Sequence, residues 1–162
     1  MQTQVMFYLL NDDEQPQTTT DKSSPFYPVC LHACHQAAKF YRNNQRVFIY
    51  TENQQEAHDI DEMLWAFEPD SFVPHNLTGE GPRNGAAVEI SWQMPTNRRP
   101  VLINLTSTVP NFASQFSTII DFVPTDEILK QQARERFRTC RQWGFGVDNQ
   151  AVPQVTTKST TV

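Results

Sequence analysis

Five short apolar runs recur along this chain with helix-patterned stretches between them, and that alternation restricts the fold more than any single motif does. The runs are QVMFYLL at 4–10, RVFIYT at 46–51, AVEISW at 87–92, VLINL at 101–105 and TIIDFV at 118–123. Their β-branched and aromatic content predicts strands. Between them, residues 29–42 set Cys30, Ala33, Cys34, Ala37 and Tyr41 on one helical face, with Pro28 suited to the first turn. Ala57, Ile60, Leu64 and Phe67 recur at steps of three and four, and Asn53 is placed to cap that helix. Residues 126–144 form the longest helical pattern, with Asp126 and Glu127 at its positive end and Gly144 at its stop. A short helix fits 111–116. Strands alternating with helices predict an α/β fold, a three-layer α/β/α sandwich with a mostly parallel central sheet. The short connection at 93–100 leaves open that 87–92 and 101–105 pair as an antiparallel hairpin.

The chain has 162 residues, enough for one domain with a real core. We place that domain at 1–145 and read the polar, Thr-rich residues 146–162 as a disordered tail. The stretch 11–25, rich in Thr, Asp and Gln, reads as a long loop. A net charge of −5 argues against a generic nucleic-acid binder. There is no apolar run of membrane-spanning length and no signal-peptide pattern at the start. Cys30, Cys34 and Cys140 read as reduced, buried thiols of a cytoplasmic protein.

The stretches that resemble motifs for chemistry have plainer readings. Gly79, Gly81 and Gly85 lie in a glycine-rich stretch, but no Lys-Ser/Thr pair follows, Pro82 removes a donor, and a strand comes next where a phosphate loop would open a helix. The fold is therefore expected to be Rossmann-like without a nucleotide-binding motif. His32, Cys34 and His35 do not share one helical face and suggest no metal site. Asp59, Asp61 and Glu62 read as a solvated face. No nucleophile elbow is present. We expect no catalytic site and no cofactor.

Two features ask for a partner instead. Trp65 turns away from the apolar face of its helix, toward His58, Asp61 and Glu62, and Phe72 follows within Ser71-Phe72-Val73-Pro74-His75. An off-face tryptophan beside a loop at 76–85 suits a docking site. In the last helix Lys130, Arg134, Arg138 and Arg141 form a cationic ridge one position after the apolar stripe Leu129, Ala133, Phe137 and Cys140. That ridge fits three readings: a solvated face pairing Glu127 with Lys130 or Arg134 and Glu135 with Arg138, a groove for an acidic peptide with a hydrophobic end, or a nucleic-acid backbone site.

Phe7-Tyr8-Leu9-Leu10, Asp61-Glu62-Met63-Leu64-Trp65-Ala66, the long run from Ser71 through Leu77 into Gly79-Glu80-Gly81-Pro82-Arg83, Val88-Glu89-Ile90, Asp121-Phe122-Val123-Pro124, Leu129-Lys130-Gln131 and Ala133-Arg134-Glu135-Arg136 stand in the order and spacing of a known family. They resemble the chi subunit of bacterial DNA polymerase III, from the first strand to about Phe145. The departures are at 11–28 and after Gly146. The resemblance implies a non-catalytic accessory subunit of the clamp-loader complex in DNA replication. It implies binding to the psi subunit and to the acidic, Phe-terminated tail of single-stranded DNA-binding protein (SSB), with an iron–sulfur helicase as a further partner at the psi-facing surface. DNA would be met mainly through SSB. On this resemblance Trp65 and Phe72 match the psi-facing aromatics. Lys130 and Arg134 match the SSB-tail cations, Phe137 stands where tyrosine is usual, and Val123 lines the same pocket. Arg138 and Arg141 extend that set by ridge geometry alone. The other functions held open are direct single-stranded DNA binding and a degenerate nucleotide-binding protein.

Overall fold

The computed structural model describes residues 2–10, 27–66, 73–79 and 85–153, and the strands found there form one seven-stranded sheet. In chain order these are β1 (Gln4–Leu9), α1 (Tyr27–Arg42), β2 (Val47–Tyr50), α2 (Gln54–Ala66), β3 (His75–Leu77), β4 (Val88–Ser91), β5 (Val101–Asn104), a 3-10 turn (Ala113–Gln115), β6 (Thr118–Val123), α3 (Glu127–Gln142) and β7 (Gly146–Ala151). The strand order is β3-β4-β2-β5-β6-β1-β7, and every pair is parallel.

Connections from β1 and β2 run toward one edge and the connection from β6 runs toward the other. Right-handed crossovers then put α1 and α2 on one face and α3 on the opposite face. The core divides accordingly. Val47, Ile49, Ile103, Ile120 and Phe122 meet Ala33, Ala37, Ile60 and Leu64 of α1 and α2. Val5, Phe7, Phe48, Leu102 and Ile119 meet Cys140 and the aromatics of the 3-10 turn. Phe48 lies 6.1 Å from Phe116 and 6.3 Å from Phe112, and Tyr50 meets Phe112 edge-on at 4.9 Å. Truncating such a buried ring costs about 3–5 kcal/mol.

The helix ends are made as the sequence suggests. Asn53 Oδ1 accepts from the Glu56 N–H at 2.9 Å, and Asp126 accepts from the Leu129 N–H at 3.1 Å. Gly144, at φ 83°, lets the Gly144 N–H reach the Arg141 carbonyl and the Phe145 N–H reach the Cys140 carbonyl, both at 3.1 Å. That paired closure stops α3 and turns the chain into β7.

Three sequence expectations are corrected. First, β4 and β5 are not a hairpin: β2 lies between them, with Val47 opposite both Val88 and Val101. The connection recrosses the sheet and is anchored by Arg99, which is buried, donates to the carbonyls of Val47, Ala86 and Ala87, and pairs with Glu89 at 3.2 Å. Burial lowers the Arg99 pKa to about 10. Gly85 sits against this pair at φ 77°, where a Cβ would collide with the Glu89 carboxylate and the Arg99 guanidinium. Second, the stretch read as loop from residue 76 begins with β3, whose three residues are too few to show a period. Asn76 fixes it locally, donating to the Leu77 carbonyl and accepting from the Ala86 N–H. Third, the polar tail is not disordered from residue 146. Residues 146–151 are β7, with Gly146 donating to Thr3 at 2.9 Å and Val152 to Leu9 at 3.0 Å. An edge strand largely open to water needs no apolar alternation, so its composition resembles a tail. The readings at 11–25, at Phe67 and Phe72, and beyond residue 153 lie outside the described residues.

Candidate docking sites

The first site is built at the β3 edge. Trp65, the penultimate residue of α2, is 60% exposed, and its ring meets His75 of β3 edge-on at 5.0 Å and 66°. The His75 Nδ1 lies 2.7 Å from the Val73 carbonyl, and its Nε2 lies 3.3 Å from Asp61, one turn before Trp65. Asp61 thus leaves the solvated face that the sequence assigned to it, while Asp59 and Glu62 stay exposed.

The second site lies at the carboxyl ends of β1 and β6, on the α3 face. A groove of about 430 Å³ is lined by Phe7, Leu9, Leu10, Val123, Pro124, Thr125, Lys130, Ala133, Arg134, Phe137 and Asn149. It brings together four residues that the sequence singled out: Val123, Lys130, Arg134 and Phe137. Phe7 and Phe137, with ring centroids 5.2 Å apart, contribute its aromatic wall. Leu9 is 39% exposed at the same rim. Leu9 and Asn149 were missed. Leu9 belongs to an apolar run read as plain strand, and Asn149 comes from a segment read as tail. Position at the carboxyl end of a parallel strand was the one available signal, and only for Leu9.

The cationic ridge is divided by its neighbours. Arg138 does not line this groove. It lines an adjoining open depression with Arg134, Phe137, Arg141 and Gln142, and its guanidinium is held by Glu135 at 3.0 and 3.2 Å. Lys130 makes a 3.9 Å approach to the largely exposed Glu127. Arg136 points inward instead. It grips Asp121 with two bonds of 2.9 and 3.0 Å, also donates to the Phe122 carbonyl at 3.1 Å, and so hangs α3 from β6. Burial pushes the Asp121 carboxyl up, and the adjacent guanidinium opposes this.

A larger hollow of about 630 Å³ opens where β2, β5 and β6 end. In sheets of this kind that edge often takes nucleotides. Here Glu52, Glu56, Asp59, Asp121 and Asp126 line it, with Arg136 already gripping Asp121. Their oxygens already occupy donors that a phosphate would use: Glu52 accepts from the Ser107 N–H at 2.8 Å, Glu56 from the Glu52 N–H at 3.2 Å, and Asp126 from the Leu129 N–H. Five carboxylates against one cation also repel an anion, which argues against the degenerate nucleotide-binding reading. The thiols are poor nucleophiles: burial, with Glu56 and Asp59 nearby, pushes Cys30 up to about 12, and burial does the same to Cys140. Among the described residues no cluster of three His, Cys, Asp or Glu is arranged to hold a metal, and no helix is long and apolar enough to cross a membrane.

Comparison with known proteins adds a family. A family model described as DNA polymerase III chi subunit, HolC, matches residues 2–148. The chain is 44% identical over 144 residues to the DNA polymerase III subunit chi of Escherichia coli K12, covering 88% of this chain and 93% of that protein. It is 44% identical over 122 residues to the protein of the same name in Haemophilus influenzae, covering 74% of this chain and 85% of that one. Identity to the Pseudomonas aeruginosa protein is 30% over 123 residues, covering 76% of this chain and 86% of that one. Among solved structures, one titled the crystal structure of T4 UvsW superposes with a TM-score of 0.59 at 10% identity, covering 93% of this chain and 41% of that one. That likeness concerns the fold alone.

Proposed function

Because this chain belongs to the chi-subunit family of DNA polymerase III, we propose that it serves DNA replication as a tether, with no chemistry of its own. The groove at α3 takes the acidic, Phe-terminated tail of SSB, and the Trp65 edge takes the psi subunit of the clamp loader. An iron–sulfur helicase would compete for the Trp65 edge. The observation that carries the reading is the meeting of Val123, Lys130, Arg134 and Phe137 in one groove, two cations beside an apolar wall. A terminal phenylalanine enters against Phe137 and Val123. The tail carboxylates meet Lys130 and Arg134, where each charged hydrogen bond is worth about 1.5–3 kcal/mol. A few such contacts reach micromolar affinity, about −8 kcal/mol, and many tails on one coated strand multiply it.

The test is a fluorescence-anisotropy titration of a labelled SSB-tail peptide. The intact chain should bind it, and a peptide lacking its final phenylalanine should bind far more weakly. Equal binding of the two peptides removes the proposed pocket. A second reading, direct binding of single-stranded DNA, draws on Trp143, 46% exposed beyond Arg138 and Arg141. The overall charge of −5 opposes it. A mobility shift with naked DNA, in the absence of SSB, separates the two.

A further inference from the structure

His75 lies beside Trp65, yet the tethering reading gives it no task. Its side chain is only 1% exposed, although it lies directly under the 60% exposed Trp65. Its backbone is fixed by the sheet, where His75 stands opposite Val88. Its ring is pinned at the Nδ1 end. A carbonyl can only accept, so Nδ1 carries a proton and donates to Val73 at 2.7 Å. Nε2 comes within 3.3 Å of Asp61 without forming a hydrogen bond to it. Asp61 and Trp65 are one helical turn apart, on neighbouring positions of α2. The imidazole is therefore wedged between β3 and one turn of α2, and its edge meets the indole at 5.0 Å.

We propose that His75 is the positioning residue of the Trp65 docking face: its imidazole, pinned through Nδ1 to Val73, backs the exposed indole and holds it in one pose before a partner arrives. This rests on the reading of Trp65 as the psi anchor. An exposed tryptophan free to change rotamer loses that freedom on binding, and a backed one has already lost it. Fixing one such side chain in advance is worth about 2- to 10-fold in affinity. A purely structural role, fastening α2 to β3, would leave the indole's own order unaffected.

The experiment uses the full chain labelled with 5-fluorotryptophan, whose three resonances come from Trp65, Trp92 and Trp143. Trp65→Phe assigns the first. In the unmodified sequence the Trp65 resonance should lie away from the free amino acid. In His75→Ala it should collapse toward that position and narrow, and His75→Leu, which keeps bulk but loses the Nδ1 bond and the flat ring, should move it part of the way. A Trp65 resonance already at the free position, or unmoved in both variants, overturns the proposal. Should His75→Ala fail to fold, His75→Leu, which keeps the buried volume, carries the same readout. In a psi titration His75→Ala should bind about 3- to 10-fold more weakly. If Trp65→Ala loses psi while folded His75→Ala does not, the positioning role is wrong and the docking reading stands. If Trp65→Ala binds psi normally, the docking reading fails, and the fluorine spectra still decide whether His75 orders the indole.

Discussion

The two outer edges of the sheet are built in opposite ways. At the β3 edge a three-residue strand carries little, and an aromatic side chain stands out into solvent, backed by a buried histidine. At the β7 edge a six-residue polar strand borders a recess whose walls are apolar and whose rim carries Lys130 and Arg134. Six interstrand steps separate the edges, roughly 29 Å. A projecting rigid anchor suits a folded partner that supplies the pocket. A recess with two cations suits the end of a flexible acidic peptide. One small sheet can thus carry two unlike partners without their meeting.

Breaking one edge should spare the other, and the largest effect concerns what holds α3. Arg136→Ala leaves Asp121 buried without its partner and should cost about 3–5 kcal/mol of stability, read as a lower urea midpoint. The apolar pair Asp121→Leu with Arg136→Met should recover most of that loss. Trp65→Ala should weaken psi by about 2–4 kcal/mol, the usual range for a central tryptophan anchor, with the SSB-tail affinity unchanged in anisotropy. Arg134→Ala should do the reverse, losing about 1.5–3 kcal/mol toward the tail peptide, roughly 10- to 100-fold, with psi co-purifying as before. Arg138→Ala should change tail binding least, by less than about 1 kcal/mol, since its guanidinium is already held by Glu135 at the exposed surface. A loss as large as that of Arg134→Ala would move the tail site into the neighbouring depression.

The buried strands and the helices were legible because burial imposes pattern. VFIY and VLIN are apolar on both faces, and α2 and α3 show their stripes, with Asn53, Asp126 and Gly144 marking ends. β7 was not legible, because a strand paired on one side and wet on the other keeps a polar composition. The parallel placement of β4 and β5 was hidden for a different reason. It depends on β2, distant in sequence, entering between them, and on Arg99 reaching backbone carbonyls of β2 and of the segment before β4. At the groove, the α3 residues were readable from helical spacing and from the family resemblance. Leu9 and Asn149 reach the rim only through the order β6-β1-β7, which no local window contains. Arg136 shows the limit of charge patterns most plainly. It stands beside the ridge in sequence but turns inward to Asp121 in space.

The central claim is that the two edges act independently. The affinity of the SSB-tail peptide, measured by anisotropy without psi and again with psi at saturation, tests it directly. We expect the same dissociation constant in both titrations, within about a factor of two, because the edges share no residues and lie roughly 29 Å apart. Displacement of the peptide by psi would contradict the account and put both partners on one surface.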